Sequence, residues 1–312
     1  MKNNFWEKLK KEKPIYALAP MAGITDSAFR QMCKNFGADV LYSEMASVNA
    51  LVYAPEKTLK MLKFSELERP YVVQLFGSEP KNFRRAIKII EKKIKPDGID
   101  INFGCPAPKV AKQEAGAELF KNLEKSRAVI EAVLDAASLP VSIKFRRQVG
   151  EVDAIAFLKN IVDLDIKAIM IHGRDLKQHH SGPVDAQIIK EARQYFSGVI
   201  LANGGVIDYD SAQKLLSDSA ADGLGVGQGA LGHPWVFKQI KDKNFNLSQK
   251  EIFSLAIRHA ELAFKLRGQA GILEMRKHLC WYTTGIPEAG ELRRKLVKVE
   301  KIEEAKEILG IN

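Results

Sequence analysis

The feature that most constrains this chain is a regular alternation of short apolar runs with helical patterns. Eight runs rich in aliphatic and β-branched residues lie between Ile15 and Gly227, and amphipathic segments separate them. Eight such β/α units predict a (β/α)8 barrel of the TIM type, in the α/β class. An open doubly wound sheet is the alternative, which the absence of a Gly-x-Gly-x-x-Gly fingerprint after the first run disfavours.

The pattern changes beyond Phe237. From Ser248 to Leu309 apolar residues recur only at helical spacing, with breaks at Gly268 to Gly271 and at Gly285 to Pro287. We therefore predict a barrel domain over residues 1–242, followed by a small C-terminal all-helical domain over residues 243–312.

Charge and cysteine content limit the classes of function. The net charge of +10 favours polyanionic partners such as nucleic acids, although general solubility explains it equally well. The three cysteines, Cys33, Cys105 and Cys280, show no Cys-x-x-Cys spacing, so we expect neither a disulfide framework nor a metal site. With no apolar leader and no run of about 18 apolar residues, we expect a cytoplasmic protein without membrane association.

Polar residues and glycines gather at the predicted strand ends, where barrels of this kind place their active sites. The glycine-rich ends of the seventh and eighth strands indicate a phosphate site, because bare backbone amides can bind an anion. Gln74, Lys144 and His172 lie on other strands, where an amide can pair with a heterocycle edge and a cation can stabilise a negatively charged ring. Each could singly be a solvated residue, but together they predict a site for flavin mononucleotide (FMN).

The segment Gly98 to Lys109 carries the candidate catalytic residue. Its first half reads as a strand that ends at Asn102, and its second half contains Gly104, Pro106 and Pro108, which force a sharp turn around Cys105. A cysteine on a rigid turn at a strand end is well placed for chemistry. The alternative is a small apolar residue tucked under a loop.

These segments resemble those of bacterial tRNA-dihydrouridine synthases, and the resemblance covers nearly the whole chain. The matching segments of the barrel are Ala19-Pro-Met-Ala-Gly-Ile-Thr-Asp26, Ser43-Glu-Met45, Val73-Gln-Leu-Phe-Gly77, Asp100-Ile-Asn-Phe-Gly-Cys-Pro-Ala-Pro-Lys-Val110, Ile143-Lys-Phe-Arg146, Ile171-His-Gly-Arg174 and Gly232-His-Pro-Trp-Val-Phe237. Those of the tail are Glu274-Met-Arg-Lys-His278, Trp281-Tyr282 and Gly285-Ile-Pro287.

The resemblance implies a flavoprotein oxidoreductase that reduces uridine in tRNA to 5,6-dihydrouridine, with FMN as cofactor, NADPH as reductant and a helical RNA-recognition domain. Other structured RNA, such as ribosomal RNA, stays open as a substrate. The implied FMN contacts are Pro20, Met21, Ala22, Gln74, Lys144, His172, Asn203, Gly204, Gly205, Gly227 and Gln228. The implied substrate contacts are Asn102, Arg146 and Arg174, and Cys105 is the implied proton donor.

The chemistry of uracil agrees with this assignment. Its C5=C6 bond is conjugated to the C4 carbonyl, so hydride from flavin N5 adds at C6 and a proton quenches the charge at C5. A thiol with a pKa of about 8.5 is still protonated at neutral pH, so Cys105 needs no adjacent base to serve as the acid.

Three places depart from the family pattern. The loop of residues 179–185 keeps a Ser-Gly element but lacks the aromatic residue that often follows its acidic residue. Gly205 stands where an acidic residue is usual, and Gln228 stands where an arginine is usual. The departure at Gln228 removes one cation from the phosphate site. We expect FMN to be held more loosely, or Arg146 or Arg174 to supply the missing charge.

Three other functions compete with this one. The first is a flavin reductase of a free pyrimidine or enone, which the basic helical tail disfavours. The second is a catalytically weak RNA-binding protein on the same scaffold, which the presence of Cys105 and Lys144 disfavours. The third is a flavin-free phosphate-binding barrel, in which Lys144 forms a Schiff base.

Overall fold

The structure, a computed structural model, describes residues 4–12, 14–178 and 181–311, and its centre is a closed barrel of eight parallel strands. The strands are β1 (Ile15–Leu18), β2 (Val40–Tyr42), β3 (Tyr71–Phe76), β4 (Gly98–Asn102), β5 (Val141–Arg146), β6 (Ala168–His172), β7 (Val199–Asn203) and β8 (Gly223–Val226). Each strand pairs with the next one in the chain, and β8 pairs with β1. This closure confirms the predicted TIM barrel and excludes the open sheet.

Sixteen α-helices cover the barrel or follow it in the described part of the chain. They are α1 (Phe5–Lys11), α2 (Ser27–Asn35), α3 (Val48–Tyr53), α4 (Pro55–Met61), α5 (Pro80–Lys93), α6 (Pro108–Ala111), α7 (Ala117–Phe120), α8 (Leu123–Ala136), α9 (Ala154–Asn160), α10 (Ala186–Ala192), α11 (Tyr209–Ser219), α12 (Val236–Gln239), α13 (Gln249–Arg267), α14 (Gln269–Tyr282), α15 (Ala289–Leu296) and α16 (Ile302–Leu309). None of the helices among these residues is long and apolar enough to cross a membrane.

Local sequence explains where these helices start. The Asp26 side chain caps α2 by accepting a hydrogen bond from the Phe29 N–H at 2.9 Å, and Pro80 occupies the first turn of α5, where its missing amide proton costs nothing. The sequence did not predict the two-residue strand Ala46–Ser47, which pairs with β3, or the small hairpin of residues 148–153. These elements are too short to show a period.

The N-terminal helix α1 closes the bottom of the barrel, opposite the ends that carry the site. Trp6 is only 1% exposed and lies in an apolar cluster with Ala17, Tyr42 and Met170. The Lys10 ammonium donates to the carbonyl of Ser197, just before β7, at 2.7 Å. The leader is therefore part of the barrel core rather than a frayed extension.

Helices α13 to α16 share a second apolar core, which packs against α2. The Phe29 ring of α2 lies 5.8 Å from the ring of His259 and 5.2 Å from that of His278. Helix α14 also packs closely against the loop after β8. A Cβ added at Gly232 of this loop would lie only 2.2 Å from the carbonyl carbon of Trp281 on α14. Only glycine fits at this contact, where φ is also +64°.

Candidate active site

A cavity of about 420 Å³ opens at the carboxyl ends of the barrel strands. Its volume lies within the range of cofactor pockets. All fifteen residues that the sequence singled out line it, and these are Pro20, Met21, Ala22, Gln74, Asn102, Cys105, Lys144, Arg146, His172, Arg174, Asn203, Gly204, Gly205, Gly227 and Gln228. The structure therefore brings the whole predicted set together. Met45 and Ile207 also line the cavity and were not predicted.

A buried hydrogen-bond network fixes the polar wall of this cavity. Asn102 Nδ2 donates to Gln74 Oε1 at 2.8 Å, and Gln74 Nε2 donates to Asp100 Oδ2 at 2.7 Å. Asp100 Oδ1 accepts from Ser142 Oγ at 2.6 Å. Burial raises the pKa of Asp100 to about 6, against the opposing effect of these two hydrogen bonds. The network fixes the orientation of both amides toward the cavity.

Asp100 was not assigned to the site from the sequence, although a signal for it was present. It lies two residues before Asn102 in β4, so both side chains point to the same face of the strand. Their partner Gln74 sits opposite Asp100 on β3. Register between strands, which the sequence pattern does not give, decides that these groups meet.

The Asn102 side chain also holds the cysteine turn in place. Asn102 Oδ1 accepts hydrogen bonds from the backbone N–H groups of Gly104, at 3.1 Å, and Cys105, at 2.9 Å. On the other side, the carbonyl of Cys105 accepts from the Ala117 N–H at 3.1 Å. A Cβ at Gly116 would lie 2.7 Å from that carbonyl oxygen, so this close approach requires glycine. The thiol is therefore presented by a backbone that is fixed at both ends.

The surroundings of Cys105 favour a protonated thiol. Burial raises the pKa of Cys105 above its ordinary value, and hydrogen bonding by the Ala107 amide and the charges of Arg146 and Lys144 oppose that effect only in part. A thiol with a raised pKa keeps its proton at neutral pH. The arrangement therefore suits a proton donor better than a thiolate nucleophile.

Among the described residues that line the cavity, three are cations and none is acidic. Burial, helped by the charge of Arg146, lowers the pKa of Lys144 to about 8. Arg146 donates to the backbone carbonyls of Gly104 and Asp175, each at 3.0 Å, and Arg174 donates to that of Gly182 at 2.9 Å. The described lining of the cavity is therefore positively charged, which favours an anionic ligand.

The ends of β7 and β8 leave bare backbone at one side of the cavity. A Cβ at Gly227 would meet only Met21 Sδ at 3.6 Å and Ala19 Cβ at 3.8 Å, so the packing of the protein does not require glycine there. At Gly205, φ is +73°, and Arg174 Nη2 lies 3.7 Å from the position of an added Cβ. Glycine thus opens space beside a guanidinium, which fits a phosphate group.

Within the part of the chain that the structure describes, no group of three His, Cys, Asp or Glu side chains is arranged to hold a metal ion.

Comparison with known proteins identifies the family. The family model described as "Dihydrouridine synthase (Dus)" matches residues 17–311. A probable tRNA-dihydrouridine synthase of Aquifex aeolicus is 32% identical over 302 residues, which are 93% of this chain and 95% of the relative. Another, of Rhodobacter capsulatus, is 35% identical over 302 residues, which are 94% of this chain and 92% of the relative.

Solved structures resemble the barrel at low sequence identity. Histamine dehydrogenase from Rhizobium sp. 4-9 superposes with a TM-score of 0.55 at 11% identity, over 74% of this chain and 46% of that one. The old yellow enzyme homologue from Zymomonas mobilis superposes with a TM-score of 0.54 at 13% identity, over 75% of this chain and 90% of that one. These likenesses support the barrel fold alone. From the family model and the relatives, the chain belongs to the dihydrouridine synthase family, a family of flavin-dependent oxidoreductases.

Proposed function

We propose that this protein reduces uridine in tRNA to 5,6-dihydrouridine, with FMN as its flavin and NADPH as the reductant. The family and the names of its relatives, probable tRNA-dihydrouridine synthases, support this reaction. The observation that carries it is the position of Cys105, a half-buried residue whose backbone N–H is held by Asn102 at the wall of a cavity lined by three cations. Such a reaction, which needs tRNA and a pyridine nucleotide, is expected in the cytoplasm.

The residues present fit FMN. The ring would lie against Pro20, Met21 and Ala22 from the loop after β1, where Gln74 and Lys144 can meet its polar edge. Its phosphate would lie at Gly204, Gly205, Gly227 and Gln228, near Asn203 and His172. When bound and reduced, the flavin supplies the hydride that uridine accepts at C6.

Arg174 is the residue that best replaces the cation missing at Gln228. Its guanidinium lies against Gly205, at the end of the cavity with bare backbone, and its one hydrogen bond described above goes to a carbonyl. A phosphate at Gly205 would lie within reach of this group. We therefore assign Arg174 to the phosphate of FMN in place of its expected contact with the substrate.

The remaining steps belong to side chains of the chain itself. Cys105 gives its thiol proton to uracil C5, and the resulting thiolate is stabilised by the nearby charges of Lys144 and Arg146. Asn102 chiefly positions the cysteine turn, since both its oxygen and one N–H are already bonded. Its other N–H faces Met45 Sδ at 3.8 Å, a weak contact that a uracil carbonyl can replace.

We propose residues 243–312 as the RNA-recognition domain. A uridine inside folded RNA reaches a recessed cavity only after it leaves its stack, so the enzyme needs a second surface that grips the RNA. The tail supplies a rigid helical body beside the cavity mouth, held against α2 by Phe29. Its basic residues Arg276 and Lys277 lie on α14, and Lys277 contacts the loop after β1.

A spectroscopic assay tests this function. The purified holoenzyme should absorb as a flavoprotein, lose that absorption with NADPH and regain it under anaerobic conditions with tRNA that lacks dihydrouridine. Fully modified tRNA is the matched control and should not restore the absorption. A protein that cannot be reconstituted with FMN contradicts the proposal. If free uridine or an enone restored the flavin absorption as fast as tRNA does, the protein would instead be a reductase of small molecules.

A further inference from the structure

Outside the cavity, Tyr53 presents an aromatic ring to solvent. It is 70% exposed at the end of α3, and the guanidinium carbon of Arg85 lies 5.6 Å from its ring centroid. Because most of the side chain is exposed, packing against the protein does not explain why a tyrosine stands at this position. An exposed ring flanked by a guanidinium is the arrangement that stacks an unpaired base.

Hydrogen bonds connect helix α3, which carries Tyr53, to helix α6, which follows the cysteine turn. Asn82 on α5 donates to Asn49 Oδ1 at 2.8 Å, and Asn49, one helical turn before Tyr53, donates to Gln113 Oε1 at 3.5 Å. Gln113 in turn donates to the carbonyl of Lys109 at 3.0 Å, on the short helix α6 that begins just after Cys105 and Pro106. The ring and the candidate catalytic residue therefore share one continuous surface.

Cations on this surface have no acidic partners. Lys81, Arg85, Lys109 and Lys112 are exposed, and none of them forms an ion pair within the described ranges 4–12, 14–178 and 181–311. Two carboxylates of neighbouring helices are paired with other cations, because Asp135 pairs with Arg84 at 3.3 Å and Glu114 pairs with Lys125 at 2.7 Å. The four exposed cations therefore give this surface a positive charge that is open to an anionic ligand.

We propose that this Tyr53 surface, formed by Asn49, Tyr53, Lys81, Arg85, Lys109 and Lys112, binds the single-stranded RNA next to the target uridine. One unpaired base stacks on the Tyr53 ring, and the cations bind the phosphates between that base and the cavity. The inference rests on the proposed function, and it adds a contact on the barrel to those expected from the tail.

Single-stranded RNA fits this surface better than the other polyanions. A double helix hides its base faces, so it cannot use an exposed ring, whereas a loop from which one nucleotide has been withdrawn exposes the next base. An acidic peptide would use the cations but leave the free face of Tyr53 uncovered. The combination of ring and cations, continuous with a cavity for uridine, identifies the RNA strand.

The test compares Tyr53→Ala with Tyr53→Phe in the FMN-loaded enzyme, with dihydrouridine-free tRNA as ligand and substrate. Stacking on an aromatic ring contributes about 1–3 kcal/mol, so we expect Tyr53→Ala to raise both Kd and KM for tRNA about tenfold. Tyr53→Phe should bind as the unmodified enzyme does, because it keeps the ring. In both variants, kcat at saturating tRNA and the rate of flavin bleaching by NADPH should not change.

Tyr195→Ala is the matched control, since Lys159 Nζ lies 5.1 Å from the Tyr195 ring centroid in a second cation–aromatic pair, near the start of β7. It should leave tRNA binding unchanged. The inference is overturned if Tyr53→Ala binds tRNA normally, or if Tyr53→Phe loses as much affinity as Tyr53→Ala. The proposed function fails separately, and visibly, if the unmodified enzyme does not reduce tRNA at all.

Discussion

Lys277 of α14 donates a hydrogen bond to the backbone carbonyl of Gly23, on the loop that follows β1. Glu44 accepts a hydrogen bond from the N–H of the same glycine. The loop whose Met21 and Ala22 line the cavity is thus held from the tail on one side and from the end of β2 on the other. The helical tail therefore helps to shape the wall of the cavity, in addition to the RNA recognition proposed for it.

The Lys277→Met variant is expected to bind FMN about fivefold more weakly, because loss of one charge-assisted hydrogen bond at a half-exposed site costs about 1 kcal/mol. Fluorescence titration of the apoprotein with FMN measures the change. Lys265→Met, which alters an exposed lysine on α13, is the control and should bind FMN normally. Equal FMN affinity in both variants would show that the tail does not shape the site.

Burial of Asp100 predicts a dependence of stability on pH. The pKa of Asp100 is raised to about 6 from an ordinary 3.8, so the folded protein keeps a proton that the unfolded chain has lost. This part of the free energy of unfolding is therefore greatest below pH 4, falls as the pH rises to about 6 and is level above that. A pKa shift of this size corresponds to a fall of about 3 kcal/mol in the free energy of unfolding as the pH rises through this range.

Urea unfolding of the wild type and Asp100→Asn at pH 4.5 and pH 7 measures this effect. The variant cannot titrate at this position, so its stability should decline less than that of the wild type between the two pH values. The difference between the two proteins removes the contribution of other titrating groups. An identical decline in both would mean that Asp100 is ionised in the folded protein throughout this range.

The helix α1 should stabilise the whole barrel through Trp6. Truncation of a buried tryptophan costs about 3–5 kcal/mol, so we expect Trp6→Ala to lose that much free energy of unfolding in urea. Trp6→Phe should lose much less, since it keeps most of the apolar ring and removes an indole N–H that has no hydrogen-bond partner among the described residues. A loss below about 1 kcal/mol for Trp6→Ala would mean that the leader is not part of the core.

The barrel was predictable because each strand is a local pattern. Runs such as Tyr71–Phe76 are apolar on both faces and end in turn residues, which is enough to locate a strand. Closure into a barrel also places the carboxyl ends of all eight strands on one face. The position of the candidate site therefore follows from the fold without any knowledge of distances.

What the sequence did not predict depends on contacts between distant residues. The bond from Lys277 to Gly23 joins positions 254 residues apart, and no local pattern marks either partner. The role of Trp6 was likewise not evident from the sequence. A short basic segment with two aromatic residues shows the same pattern whether it packs on the barrel or is disordered. Asp100 could be assigned to the site only from the register between β3 and β4, which places it opposite Gln74.

Rapid mixing of the Cys105→Ala holoenzyme with its two substrates tests whether Cys105 donates the proton to uridine. NADPH should bleach the flavin at the wild-type rate, because the thiol takes no part in that step. Reoxidation by dihydrouridine-free tRNA should slow at least about a hundredfold, since a positioned general acid contributes about 10²–10⁴ to rate. Cys280→Ala, which removes a half-buried cysteine of the tail, is the matched control and should reoxidise normally. Wild-type reoxidation by tRNA in Cys105→Ala would contradict the mechanism.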